Sequence, residues 1–403
     1  DHGAGRAPSS SSGAWLIAAD DQGAAQALKQ AFEAAGQAAR IAAPGALATA
    51  LAEGGLAGVV LMPADQPGAA HAPVAALQAM LREPGCAGAR LWLATTGAQA
   101  VEGQPRARVA VHAGAAWGAG RVLADEHPDR WGGMLDLDPL ADAAARAEAL
   151  VRHVLSGTDE PQAAYRAGRG YALRLLPMGD AAAQPVPPPW RAEGAWLVTG
   201  GLGEVGLRVA AGMLAGGARR LVLMGRHGLP PRRQWRDAGL DARSAGRIAA
   251  VLALEAAGAA VHVLEADLAD AADTERALRE YDEAAWPPIR GVVHAAGVLE
   301  SQLALQADAD GFERVLAPKL EGALTLERLL PRLDAFVLFS SIIGVLGVAG
   351  TAAYAAANAG LDALAADRRA RGLPALSIQW GAWEGLGMLG GSAGAAHMEG
   401  LRA

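Results

Sequence analysis

Four side chains hold most of the chemistry this sequence can offer: Lys319, Ser341, Tyr354 and Asn358. Ser341 lies at the end of an apolar strand-like run, and Tyr354 follows thirteen residues later. Asn358 comes four residues after Tyr354, a spacing that places both on one face of a helix. A phenol with a pKa near 10 is a poor acid-base group at neutral pH unless a nearby cation favours the phenolate. Lys319, in Ala317-Pro318-Lys319-Leu320-Glu321-Gly322, is a candidate for that cation. It is one of only two lysines, the other being Lys29, in a chain where arginine carries nearly all the positive charge. Lysine can be tuned in pKa where arginine stays charged. From these residues alone, Tyr354 reads equally well as a buried core aromatic with a satisfied hydroxyl.

A second group is the run Thr199-Gly200-Gly201-Leu202-Gly203-Glu204-Val205-Gly206. Gly201-x-Gly203-x-x-Gly206 follows an apolar run and opens a helix-like one, the setting in which this spacing binds a dinucleotide. Gly201 is expected to make the tight turn and Gly203 to let the backbone approach a pyrophosphate. Gly206 is expected to let helix and strand pack closely. About 20 residues on, where an NAD site carries an acid, stands Arg226. A cation there suits a 2′-phosphate, so NADPH is expected over NADH. Asp267, closing the next strand, is placed to bond an adenine amino group. The equivalent turn in the first half reads Asp20-Asp21-Gln22-Gly23, whose two carboxylates would repel a pyrophosphate.

The elements that must carry these residues are short. In the second half apolar runs fall at 195–199, 220–224, 261–265, 291–295, 335–339 and 375–380, with helix-like stretches between them. Runs this short, apolar on both faces and alternating with helices, predict a parallel sheet covered on both sides. The first half has comparable runs at 14–18, 57–62, 90–94 and 132–136. Ala14-Trp15-Leu16-Ile17 echoes Ala195-Trp196-Leu197-Val198. The expected fold is α/β, with two Rossmann-like doubly wound halves, the first degenerate and structural, the second catalytic. The boundary falls in Pro185-Val186-Pro187-Pro188-Pro189, giving a structural unit over 1–184 and a catalytic one over 190–403.

Composition narrows the classes. In 403 residues, 52% hydrophobic and 19% charged, a core is easily filled. The 52 glycines and 22 prolines fall short of the roughly 25–30% of low-complexity chains. The single cysteine, Cys86, excludes a disulfide framework, and the nine scattered histidines give no local zinc pattern, so no metal is expected. A net charge of −7 argues against nucleic acid. Residues 335–361 carry no charge, but their serines, glycines, tyrosine and asparagine predict strand, loop and helix rather than a membrane span. No secretory signal is visible, so a cytoplasmic location is expected. The chain begins at Asp1 and reads as a piece of something longer.

These residues together resemble a short-chain dehydrogenase/reductase. More narrowly, the second half is similar to the ketoreductase domain of modular type I polyketide synthases of bacteria. The matching residues are Thr199 to Gly206, Asp267, His294-Ala295-Ala296-Gly297-Val298, Lys319, Ser340-Ser341, Tyr354 with Asn358, and Gln379-Trp380-Gly381-Ala382-Trp383. Ordinary short-chain reductases carry lysine four residues after the tyrosine. Here that place holds Asn358 and the lysine lies upstream, the exchange found in polyketide and animal fatty-acid synthase ketoreductases. The first half resembles the family's structural subdomain in Gly118 to Pro128 and Trp131-Gly132-Gly133.

The resemblance implies hydride transfer from NADPH to the β-carbonyl of an acyl chain held on an acyl carrier protein, among the other domains of the same synthase. Tyr354 would protonate the alkoxide, Ser341 hydrogen-bond it, Lys319 lower the Tyr354 pKa, and Asn358 hold a relay water. Cofactor contacts are expected at Thr199, Gly201, Leu202, Gly203, Val205, Gly206, Arg226, Asp267, Leu268, Ala295, Ala296 and Gly297. Substrate contacts and control of stereochemistry are expected at Leu299, Glu300, Ser301, Leu346, Thr351 and Trp383. Residues from Met388 to Ala403 would begin a lid that is cut short.

Two departures bear on the product. Members giving a D-configured alcohol usually read Leu-Asp-Asp where this chain has Leu299-Glu300-Ser301, and tend to have proline at Ala356. Members giving the L-configured alcohol usually carry tryptophan at Leu346. The missing aspartates point to the L-alcohol. Thr351 stands where some epimerising members have histidine. The rival readings are a fatty-acid synthase ketoreductase fragment, a silent structural or docking domain, and a free-standing dehydrogenase of small alcohols. An intact tyrosine and glycine loop oppose the silent one.

Overall fold

Apolar runs of five to seven residues form strands, and the polar-faced stretches between them form the crossover helices that parallel pairing requires. The computed structural model describes residues 13–43, 45–104, 107–158, 160–177, 190–237 and 239–383. The first sheet is built from β1 (Ala14–Ala19), β2 (Ala39–Ile41), β3 (Leu56–Met62), β4 (Arg90–Thr96), β5 (Trp131–Leu137), β6 (Gln162–Arg166) and β7 (Arg169–Ala172). Between them run α1 (Gln22–Ala34), α2 (Leu47–Ala52), α3 (Ala72–Arg82), α4 (Val111–Glu126) and α5 (Ala143–Leu155). The strand order is β2-β1-β3-β4-β5-β6-β7, parallel as far as β6, with β7 returning antiparallel. Its core includes Trp15 stacked on Phe32 with ring centres 4.8 Å apart.

The second sheet comprises β8 (Ala195–Thr199), β9 (Arg220–Gly225), β10 (Ala260–Glu265), β11 (Ile289–His294), β12 (Ala335–Ser341) and β13 (Leu376–Trp380). Its order is β10-β9-β8-β11-β12-β13, parallel throughout. The helices of this stretch are α6 (Glu204–Ala215), α7 (Ala242–Ala256), α8 (Ala271–Glu283), α9 (Ala309–Leu316), α10 (Gly322–Leu329), α11 (Ile343–Leu346) and α12 (Ala352–Ala370). The uncharged stretch 335–361 is thus β12, α11 and the start of α12. No helix among the described residues is long and apolar enough to cross a membrane.

All ten predicted runs are strands, each within two residues at either end. The sequence did not reveal β2, β6 and β7. At three residues β2 is too short to show a period. The β6–β7 hairpin turns through Ala167 at φ 48 and Gly168, without the Asn-Gly or Asp-Gly pair that usually marks such a turn.

The two sheets follow the linear halves, but the compact units do not. One unit takes Asp1–Met178 with Glu300–Glu313 and Ile343–Arg371, and the other takes Gly179–Leu299, Arg314–Ile342 and Gly372–Ala403. Hence α11 and α12 pack in the unit of the first sheet. Small residues permit it: a Cβ added at Gly118 of α4 would sit 2.3 Å from the Ala355 carbonyl oxygen of α12. One added at Gly114 would sit 2.6 Å from Ala363 Cβ. The proline-rich boundary at 185–189 and the lid at 388–403 lie outside the described residues.

Candidate active site

The glycine loop joins β8 to α6. Gly200, not Gly201, takes the left-handed conformation, at φ 64. Gly201 is needed for space instead, since a Cβ there would lie 2.6 Å from the Val198 carbonyl oxygen. A Cβ at Gly206 would lie 2.2 Å from the Gly200 carbonyl oxygen, so the first turn of α6 presses directly on the loop. Gly203 is the N-cap of α6, and no side chain among the described residues caps it. The helix start therefore keeps amides that an anion can take. Leu202 and Leu268 are buried, Leu202 within the core of the second sheet, so only their backbones are open to a cofactor role. Val205 is half-buried on the first turn of α6.

Arg226 follows β9, is exposed, and makes no ion pair among the described residues. It opens on a cavity of about 720 Å3 that also touches Asp267, His227 and Arg276. Arg276 is occupied by Asp273 and Glu280, whereas Arg226 is a cation able to meet a new anion there. Asp267 is half-buried at the end of the β10 turn, where Oδ1 accepts from Ala269 N at 3.0 Å.

Behind the loop lies a buried chain of hydrogen bonds. His294 closes β11 and is wholly buried. Its Nε2 lies 2.7 Å from the Lys319 carbonyl oxygen, so it must donate, and Nδ1 is left to accept from Thr199 Oγ1 at 2.9 Å. Ala296 N in turn donates to Thr199 Oγ1 at 3.3 Å. Burial, with the Lys319 ammonium nearby, pulls the His294 pKa down to about 3 and keeps the ring neutral. The sequence offered His294 only as part of a phrase. A histidine within an otherwise apolar run was the available signal.

Lys319 sits on a wide π-type turn, Ala317–Glu321, between α9 and α10. Pro318 has no amide to bond the preceding turn, and the chain widens there rather than breaking. The result is a lysine directed inward. It is 4% exposed, and Nζ donates to the Phe339 carbonyl oxygen at 2.9 Å, two residues before Ser341 on β12. Gly297 leaves it room, since a Cβ there would lie 3.3 Å from Nζ. Ser341 Oγ reaches the Trp380 carbonyl oxygen of β13 at 3.5 Å. Lys319 and Ser341 are thus brought to neighbouring positions at one end of the second sheet. Tyr354 and Asn358 share a face of α12, where Asn358 Nδ2 donates to the Tyr354 carbonyl oxygen at 2.7 Å. Both side chains are buried, and they belong to the unit of the first sheet.

Known proteins similar to this chain identify its family. The family model described as KR domain matches residues 194–385. The one described as polyketide synthase extender module SpnB, Rossmann fold domain, matches residues 7–175. The solved ketoreductase from the first module of phoslactomycin biosynthesis in Streptomyces sp. HK803 is 32% identical, with a TM-score of 0.77 over 98% of this chain and 83% of that one. The chain belongs to the ketoreductase domains of modular polyketide synthases.

The first ketoreductase of the tylosin synthase is similar at 32% identity and a TM-score of 0.73, over 95% of this chain and 83% of that one. The 6-methylsalicylic acid synthase of Aspergillus terreus is 43% identical over 281 residues, which is 67% of this chain and 15% of that protein. The chain spans about 15% of the length of the curated relatives it matches. The family is one of oxidoreductases whose domains use a nicotinamide cofactor. Among the described residues no cluster of His, Cys, Asp or Glu could hold a metal.

The residues expected to steer the ketoreductase's substrate divide in the structure. Leu346, on α11, is 57% exposed. Glu300 and Leu299 are half-buried, and Ser301 is exposed with Oγ donating to the Gly350 carbonyl oxygen at 3.3 Å. Thr351 is fully buried, and its hydroxyl donates to the Val348 carbonyl oxygen at 2.6 Å. Its side chain is spent on the turn before α12, so any influence on substrate passes through the backbone. Trp383 packs against Trp380 with ring centres 4.9 Å apart and against Phe339 at 6.5 Å.

Proposed function

We propose that this domain reduces the β-ketone of an acyl chain, carried as a thioester on an acyl carrier protein of the same synthase, at the expense of NADPH in the cytoplasm. The single observation that carries the reading is the buried Lys319 ammonium, fixed to the backbone of the strand that ends in Ser341. A cation held there is what a tyrosine acid requires to favour its phenolate.

The cradle suits a dinucleotide phosphate: uncapped amides at α6 take the pyrophosphate, Arg226 the 2′-phosphate, and Asp267 the adenine amino group. A reduced nicotinamide bound there would supply the hydride. This chain's residues then handle charge and proton. Ser341 donates a hydrogen bond to the ketone oxygen and stabilises the negative charge that grows on it. Tyr354 gives its phenolic proton to that oxygen, so the C=O becomes CH–OH. Lys319 favours the phenolate left behind, and Asn358 holds a water through which a solvent proton returns to Tyr354. One ketone, one hydride and one proton give one alcohol.

The product is the L-configured β-hydroxyacyl thioester. No pair of aspartates stands at Glu300 and Ser301 to guide substrate past that segment, and the exposed Leu346 offers an apolar surface instead. The test is to incubate the protein with NADPH and a β-ketoacyl N-acetylcysteamine thioester, follow absorbance at the nicotinamide band, and resolve the alcohol by chiral chromatography. Carrier-bound substrate should repeat the result. No NADPH oxidation would sink the activity, and a predominantly D-alcohol would sink the stereochemical assignment alone.

A further inference from the structure

Two acids end α4, Asp125 and Glu126, at the pole of the helix where the macrodipole disfavours negative charge. Neither makes an ion pair among the described residues. Instead they bind backbone amides from far along the chain. Glu126 Oε1 accepts from Gly350 N at 2.8 Å, and Oε2 accepts from Ala304 N at 2.8 Å. Asp125 Oδ2 accepts from Ala349 N at 3.0 Å. One turn earlier, the buried Arg121 donates Nη1 to the Gly344 carbonyl oxygen at 2.5 Å. One face of α4 therefore holds the whole segment from α11 to the start of α12.

Glu126 does more than hold one loop. Ala304 lies just after the Leu299-Glu300-Ser301 segment, and Gly350 just before α12, whose first turn carries Tyr354. The two stretches also meet each other: Gln302 N donates to the Gly350 carbonyl oxygen at 2.8 Å, and Ser301 Oγ reaches the same oxygen. Gly350 holds φ 78, a conformation suited to glycine, so its peptide presents the amide to Glu126 and the carbonyl to Gln302. All of these atoms lie within one compact unit.

We propose that Glu126 is a positioning residue for ketone reduction, locking the 301–304 segment to the 347–351 turn and so fixing the ketone face presented to Tyr354. The proposal rests on the β-ketoacyl thioester reading above. It adds a determinant of specificity that touches neither substrate nor cofactor and acts through two peptide groups.

The test compares wild type with Glu126→Gln, which puts a donor NH2 where one of the two amides needs an acceptor. Kinetics with a β-ketoacyl N-acetylcysteamine thioester, the ratio of alcohol enantiomers, the NADPH Kd and the melting temperature are all measured. Expected are a fall in thioester kcat/KM of about tenfold or more, carried mainly by kcat, and an enantiomer ratio moved at least threefold toward unity. The NADPH Kd should stay within twofold. Asp125→Asn, which loses one amide contact to the same turn, should shift the ratio in the same direction by less. It carries the test if Glu126→Gln does not fold. A lowered melting temperature with unchanged ratio and kcat/KM would reduce Glu126 to a structural support and overturn the proposal. Failure of the wild type to oxidise NADPH would instead refute the reading on which it rests.

Discussion

After β1 the chain reads Asp20-Asp21-Gln22-Gly23, and after β8 it reads Gly200-Gly201-Leu202-Gly203. Both turns lead from a parallel strand into a helix, yet they treat the helix start in opposite ways. Asp21 Oδ1 accepts from Gly23 N at 2.8 Å and Ala24 N at 3.2 Å, while Asp20 Oδ2 accepts from Ala64 N at 2.7 Å. Asp65 does the same at the start of α4, accepting from His112 N and Ala113 N at 2.7 and 3.0 Å. The buried Asp136 accepts from Ala98 N and Gln99 N and pairs with Arg166. In the first sheet, then, the protein's own carboxylates take the amides to which a phosphate could bind. The crevice beside them is only about 250 Å3 and is faced by Asp21 and Asp65. At Gly203 no side chain among the described residues caps the helix. The strand orders differ as well. The first sheet places one strand outside its opening strand and the second places two, β9 and β10, whose ends carry Arg226 and Asp267. A doubly wound fold supplies the place for a dinucleotide, but uncommitted amides decide whether it can be used.

In the proposed function the second sheet binds the cofactor and a helix packed with the first carries the proton donor, so binding and turnover should separate cleanly. Tyr354→Phe should lower the rate by about 10²–10⁴ while the NADPH Kd, read by fluorescence titration, stays within twofold. Residual activity within tenfold of wild type would break the division. Next in size, Arg226→Glu should raise the KM for NADPH about tenfold to a hundredfold, with little change for NADH. Equal effects on the two cofactors would remove Arg226 from the 2′-phosphate site.

A third outcome concerns the buried chain behind the glycine loop. His294 is neutral in the fold and takes up a proton on unfolding below about pH 6.5. The stability it brings is therefore complete above that pH and is lost as pH falls toward about 3. The slope from this one group is about 1.4 kcal/mol per pH unit. Burial also lowers the pKa of His71, His153 and His262, and these add slopes of the same sign. Denaturant midpoints across this range, compared between wild type and His294→Gln, isolate the contribution of His294. Parallel curves would show that it is not the titrating group. The smallest effect belongs to Asp21→Ala. Loss of the α1 cap should destabilise by about 1 kcal/mol, and calorimetry should still give one NADPH per chain. A second binding event in the wild type would show that the first sheet's amides are not committed as argued.

Much of this was legible in the sequence because it depends on local rules. Short apolar runs between helical stretches give parallel strands whatever else the chain does. Glycine spacing between β8 and α6 reflects close contacts made within a few residues, such as Gly206 against Gly200. Tyr354 and Asn358 share a helix face by period alone, and the exchange of lysine for asparagine at that spacing placed the family. The role given to Gly201 shows the limit of such rules. Its spacing is right, but which glycine of the pair bends the chain and which merely yields space depends on β9 lying alongside it.

Tertiary structure decided what pairs at long range. Sequence could offer Lys319 as a candidate cation, but only packing turns a proline-widened helix so that Nζ meets the Phe339 carbonyl oxygen. It could note His294, yet the neutral tautomer follows from two partners that lie 95 and 25 residues away. Thr351 stood at a plausible substrate position until burial turned its hydroxyl to Val348. In the sequence Glu126 stands only as one residue of the Gly118 to Pro128 phrase, while its partners lie 178 and 224 residues further on. No period or motif encodes such contacts. They arise because α12 packs in the unit of the first sheet, and small residues along α4 let the backbones approach closely enough for carboxylates to reach amides.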